Sequence, residues 1–241
     1  MKQLITLIFI ALSATMNAQD FQEYLKETDA LIKNGKYQEA LERHIWFHDH
    51  ALDKDNSMQG VRLSFALGDW KELADLYPPA LKALTDIRDK KTAEILNTGG
   101  TKELFADVNG INKTLGEGGK TATLFEYTFL NKPQLAKMYW YYVKDELFAL
   151  KRYDLIGKFI GNPMTEYSVL EEHYNRDIEL SKTIKINGAM LKSYSENTFV
   201  EKSIQLIHFA IASNDLKTAK EIQKAALKVV NDYRLRDAIA G

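Results

Sequence analysis

An apolar stripe at helical spacing that stops at a glycine and restarts within three residues constrains this chain more than any other feature. Tyr24, Leu25, Thr28, Leu31 and Ile32 share one helical face, the stripe ends at Asn34-Gly35, and a second stripe of Tyr37, Ala40, Leu41, His44, His48, Ala51 and Leu52 follows. Helices joined by so short a turn must lie antiparallel, each burying its apolar face on the other. The turn and second-helix start Asn34-Gly35-Lys36-Tyr37-Gln38-Glu39-Ala40 have counterparts in Leu67-Gly68-Asp69-Trp70-Lys71-Glu72-Leu73, Leu150-Lys151-Arg152-Tyr153-Asp154-Leu155-Ile156 and Ser213-Asn214-Asp215-Leu216-Lys217-Thr218-Ala219.

On these residues the chain resembles tetratricopeptide repeats, in which a Gly or Asn turns the chain, an aromatic packs between the helices and a small residue lets them approach. The likeness is strongest at 24–52 and 204–230, moderate at 57–77 and weakest at 135–160. The turns are 33, 83 and 63 residues apart, and only the first spacing is near the family's period. The expected fold is therefore all-α: antiparallel helical hairpins packed as an irregular tetratricopeptide-like α-solenoid, with other helical pairs intervening, for which 79–97, 101–116 and 166–191 are the candidates. The run from His44 through Val61–Trp70 and Tyr77-Pro78-Pro79 to Phe105-Ala106-Asp107-Val108-Asn109 is similar to a group of uncharacterised bacterial proteins. That likeness implies no activity, only that 44–112 belongs together.

The punctuation agrees with helices. All four prolines, Pro78, Pro79, Pro133 and Pro163, fall where the periodicity resets. Asn97-Thr98-Gly99-Gly100-Thr101 and Gly116-Glu117-Gly118-Gly119-Lys120-Thr121 read as loops, and a subdivision of the 19–241 domain would fall near 97–121. Phe125, Tyr127 and Phe129 alternate as in a strand, but Ala122, Phe125, Glu126 and Phe129 also fit a helix, which is the favoured reading.

Residues 1–18 have the order of a secretory signal peptide: Lys2, an apolar run from Leu4 to Leu12, then small and polar residues to Ala18. The run is too short to span a bilayer, so the expectation is a cleaved leader and a periplasmic or secreted chain with no integral membrane segment. Removing Lys2 leaves 31 basic against 33 acidic residues, a balance that argues against nucleic-acid binding. There is no cysteine, which excludes disulfides and thiolate chemistry, so the core must hold the fold by packing.

The most suggestive polar cluster is Arg43-His44-Ile45-Trp46-Phe47-His48-Asp49-His50. His44 and His48, four apart, could present two imidazoles to one metal. Both, however, lie within the apolar stripe of their helix, which favours buried histidines, and two ligands on a face are short of the four zinc takes. Trp46 points away from that stripe, toward a neighbouring hairpin or a binding surface. In Tyr139-Trp140-Tyr141-Tyr142, Tyr139 and Tyr142 continue the stripe of Leu135 and Met138, leaving Trp140 and Tyr141 for another element or for a peptide or sugar. Arg62, Trp70, Asp107, Asn109 and Asn112 are the conspicuous polar and aromatic positions of 44–112, and an internal pair of Arg62 with Asp69 or Asp107 would account for two of them. His208 joins an apolar stripe and is read as packed. Gly116–Thr121 ends like a phosphate-binding loop but lacks the motif's first glycine and its preceding strand.

No serine-hydrolase elbow, zinc-protease helix, di-iron Glu-x-x-His pair or dinucleotide fingerprint is present in the sequence. The expectation is an exported non-enzymatic module with no cofactor, using Trp46, Arg62, Trp70, Asp107, Trp140 and Tyr141 toward a protein or peptide partner, with self-association a variant of the same idea. The alternative is a ligand- or metal-binding, even hydrolytic, site around His44, His48, Arg62 and Asp107.

Overall fold

The computed structural model of the protein describes residues 18–239; the expected export signal lies outside the described residues. Among them every regular element is helical: α1 (Ala18–Lys33), α2 (Tyr37–Lys54), a 3-10 turn (Asn56–Met58), α3 (Gln59–Leu63), α4 (Phe65–Leu76), α5 (Pro78–Thr98), α6 (Lys102–Thr114), α7 (Gly118–Asn131), α8 (Pro133–Ala149), α9 (Tyr153–Ile156), α10 (Pro163–Thr183), α11 (Gly188–Ala212), α12 (Leu216–Val229) and α13 (Tyr233–Asp237). No described helix is long and apolar enough to cross a membrane. The chain divides into two compact units, Met1–Thr121 and Ala122–Gly241.

Local chemistry explains where the helices begin and end. The prolines open α5, α8 and α10, where a missing N–H costs nothing and the fixed φ is already helical. Side chains of Thr101, Asn162, Asp215 and Asp232 accept from the first free amides of α6, α10, α12 and α13, each cap contributing about 1 kcal/mol. Four corners share one construction. Gly35, Gly116, Lys151 and Asn214 take left-handed φ of +73°, +71°, +54° and +59°. At each, its own N–H and that of the next residue return to carbonyls of the preceding helix; at the first, Gly35 donates to Ile32 O (3.0 Å) and Lys36 to Leu31 O (2.9 Å).

Several sequence expectations are corrected. Gly68 is not a turn but lies inside α4; the break falls at Ser64, with φ −125° and ψ −87°. Burial decides this, since Leu67, Trp70, Leu73 and Ala74 must reach the core together. After Lys151 the second helix, α9, is a single turn. Gly118–Thr121 is the start of α7 rather than a loop, and 121–130 is helical within it. The candidate pair 166–191 is indeed parted at 184–187, between α10 and α11, whereas 79–97 lies within the single helix α5 and 101–116 is the single helix α6 with its ends.

In unit 1, α1 and α2 pack as an antiparallel hairpin around Phe21, Phe47 and Ala51, closed by Met58 and Ala66. A second cluster joins Ala40 and Leu41 of α2 to Leu67, Trp70 and Leu73 of α4, Ala80 and Leu84 of α5 and Ile111 of α6. In unit 2, α8 buries Ala136, Tyr139, Val143 and Leu147. The long α11 packs against both α10 and α12, burying Phe199, Val200, Leu206 and Ile207 against partners such as Tyr174, whose ring centroid lies 4.8 Å from that of Phe199.

Candidate functional site

The polar residues of 44–112 do converge, but in the interior of unit 1. Arg62, on the short α3, pairs with Asp107 of α6, and Lys91 of α5 reaches the same carboxylate. Arg62 Nη1 also donates to the His48 carbonyl at 3.1 Å and lies 3.3–3.4 Å from both ring nitrogens of His48. His48 Nε2 is 3.9 Å from Asp107 Oδ2. Arg62, Asp107, His44 and His48 are only 2–4% exposed. Burial, then the Arg62 charge, push the His48 imidazole down to about 3, with Lys91 adding to the fall and Asp107 opposing it. Burial and Arg43 lower His44 to about 4. Burial pushes the Asp107 carboxyl up, yet the charges and hydrogen bonds of Arg62 and Lys91 outweigh it and hold the group below the usual range.

At neutral pH the cluster is thus two cations on one carboxylate beside a neutral imidazole. It ties α3, α5 and α6 together rather than opening a pocket. His44 stacks on Trp70 with ring centroids 5.6 Å apart, and its Nε2 has no hydrogen-bond partner. Among the described residues no three His, Cys, Asp or Glu side chains come together to hold a metal. Trp70 is 1% exposed and donates its indole N–H to Ala80 O at 3.1 Å. Trp70, Arg62 and Asp107 therefore leave the set of partner-contacting residues, because their surfaces are consumed by the core. Asn112, fully buried, links Arg88 to Thr121 at 3.1 and 3.0 Å.

Trp46 is half-buried on the outer face of the α1–α2 hairpin. Its ring lies between Tyr24 (5.2 Å) and His50 (5.1 Å, interplanar 14°), and the Arg43 guanidinium sits 3.8 Å above Tyr24 while bonding Glu27 at 2.8 Å. The aromatic faces are largely matched within the hairpin, leaving a shallow hollow edged by Glu39, Glu42 and Asp49.

The run at α8 separates cleanly. Trp140 is half-buried and stacks on Phe159 (5.5 Å, 18°), beside Phe125, so part of its ring is spent on packing. Tyr141 is 83% exposed and borders a groove of ≈ 390 Å³ enclosed by α8, α10 and α11. Tyr142 stands edge-on to Tyr141 at 5.5 Å. Phe148, Leu170 and Leu206 supply apolar walls. Two ion pairs cross between the helices: Lys144 with Glu166, and Lys202 with Asp145 at 3.0 Å.

Sequence reasoning named Tyr141 and missed the rest of this groove. A signal existed in a second stripe of α8, Tyr141, Asp145 and Phe148, at spacings of four and three. It is mixed in polarity and therefore invisible to a search for apolar periodicity. Comparison with family models, with curated proteins and with solved structures finds no match for the chain.

Proposed function

We propose that the protein is an exported, non-enzymatic interaction module of tetratricopeptide-like character, acting in the periplasm or outside the cell, whose unit 2 groove holds a short peptide segment of a protein partner. The observation that carries this is the groove itself: an exposed tyrosine over apolar walls, between two ion pairs that offer both signs of charge. Such a site suits one apolar or aromatic anchor flanked by polar residues, since the anchor gains burial while the ion pairs exchange hydrogen bonds with the peptide backbone. Tyrosine gives large contact area at little entropic cost. The shared left-handed corners at Gly35, Lys151 and Asn214 support the helical-repeat character.

Panning a random peptide library against residues 19–241, followed by fluorescence anisotropy on the selected peptides, tests this. Peptides with an apolar anchor are expected, and Tyr141→Ala is expected to weaken them at least tenfold with the far-UV circular dichroism unchanged, the usual effect of truncating a central aromatic. Failure to enrich any peptide, or selected peptides indifferent to Tyr141→Ala and Leu206→Asp alike, would sink the proposal.

A further inference from the structure

The end of the α10–α11 hairpin is built unlike the rest of unit 2. Helix α11 has 25 residues and α12, which folds back along it after a three-residue corner, has 14. At 1.5 Å per residue α12 falls about 16 Å short of the start of α11. The consequence is visible in the side chains: no residue from 175 to 194 is buried. Yet this stretch is not polar. Leu180, Ile184, Ile186, Met190 and Tyr194 are 49, 38, 78, 64 and 68% exposed.

The turn is closed tightly. Asn187 takes a left-handed φ of +69°, and a Cβ at Gly188 would lie 2.3 Å from the Ser181 carbonyl oxygen, so only glycine lets the chain return there. Ile186 is thereby fixed at the outermost point of the hairpin. From Leu180 to Lys192 the charged residues are Lys182, Lys185 and Lys192, with no acidic residue among them, in a chain whose net charge is −1. The nearest carboxylates sit toward the base of the hairpin: Glu179 pairs with Lys182 at 2.5 Å, Glu196 with Lys192 at 3.8 Å, and Asp177 accepts from Ser195 Oγ at 3.0 Å.

We infer that this hairpin end docks on an anionic lipid bilayer, with Ile184, Ile186 and Met190 entering the headgroup region and Lys182, Lys185 and Lys192 pairing with lipid phosphates. Aliphatic side chains 38–78% exposed on a tight turn stand clear of the core of their own unit, and a bilayer accepts them without shape complementarity. Lysines spaced among them extend their stems along the apolar surface and keep their charge at the interface. Tyr194, one helical turn behind Met190, stands where an aromatic ring with a polar edge is favoured. This surface is separate from the Tyr141 groove and does not depend on what that groove binds.

Co-sedimentation of the full chain with vesicles of 30% phosphatidylglycerol in phosphatidylcholine, beside pure phosphatidylcholine, is the test. Binding is expected on the anionic vesicles and is expected to fall steeply in high salt. Ile186→Ser with Met190→Ser should weaken it at least tenfold. The triple change Lys182→Gln, Lys185→Gln and Lys192→Gln should weaken it about 100-fold, roughly fivefold per lysine. Phe65→Ser, an exposed apolar change in unit 1, should leave it unaltered. All these substitutions are at exposed positions, and circular dichroism checks the fold. The inference is overturned by no sedimentation with anionic vesicles, by equal binding to neutral ones, or by binding that survives the Ile186 and Met190 changes. Lipid-free self-association or a protein complex that alone responds to those changes would assign the surface to another occupant and overturn it equally.

Discussion

Asp107 carries a heavy electrostatic burden, because Arg62 and Lys91 both end on its carboxylate and Arg62 is buried with it. Removing that charge leaves a buried guanidinium uncompensated, and Asp107→Asn is expected to lower the unfolding free energy by about 3–5 kcal/mol in urea titrations. The combined change Arg62→Met and Asp107→Leu should recover most of this loss, since Lys91, with a fifth of its side chain exposed, can turn to water. A second prediction concerns acid. In the unfolded chain both imidazoles protonate near pH 6.5, whereas in the folded chain burial and neighbouring cations hold His44 to about 4 and His48 to about 3. Below pH 6.5 the unfolded state therefore binds more protons. Stability should fall progressively as pH drops from about 6.5 toward 3, with the lowered Asp107 carboxyl adding to the loss at the acid end. Urea midpoints measured between pH 7.5 and 4.5 should show the decline, and His44→Asn with His48→Gln should flatten it.

At the scale of elements, the four left-handed corners place different residues under the same backbone demand. Lys151 has a Cβ where Gly35 has none, and that conformation costs an L-residue about 1 kcal/mol. Lys151→Gly is expected to raise the urea midpoint by a change worth about 1 kcal/mol, Asn214→Gly by less because asparagine tolerates this region, and Gly35→Ala to lower it by about 1 kcal/mol. No atom lies within 4 Å of a Cβ placed at Gly35, so the last change isolates backbone strain from crowding. These corners also mark how legible the elements were. Asn34-Gly35 and Ser213-Asn214 read correctly because turn chemistry and a change of apolar stripe coincide there. Gly68 read wrongly because glycine alone is an ambiguous signal, and the burial of Leu67, Trp70 and Leu73 carried the helix through it. The break at Ser64 has no sequence marker, and the single-turn α9 ends where Ile156 and Ile160 are already buried.

For the whole molecule, stability rests on packing and internal ion pairs in each unit, since the chain has no cysteine. Its thermal unfolding midpoint is accordingly expected to be the same with and without a reductant, as followed by circular dichroism at 222 nm. By itself the sequence determined the all-helical class, the proline boundaries and the corners at Gly35 and Asn214, the near-neutral charge, the lack of a thiol and the amphipathic faces of most helices. These follow from local geometry, which a residue and its neighbours at three and four positions express without reference to the rest of the chain. Tertiary structure alone decided which polar and aromatic residues are used up internally. Trp140 and Tyr141 are adjacent, yet Phe159 covers one and leaves the other bare. Arg62 and Asp107 are 45 residues apart, and only packing determines whether two such charges face a ligand or each other. The exposed end of the α10–α11 hairpin belongs to the same class of fact, because Ile186 and Met190 carry the apolar signature of a core and are left outside one by the shortness of α12.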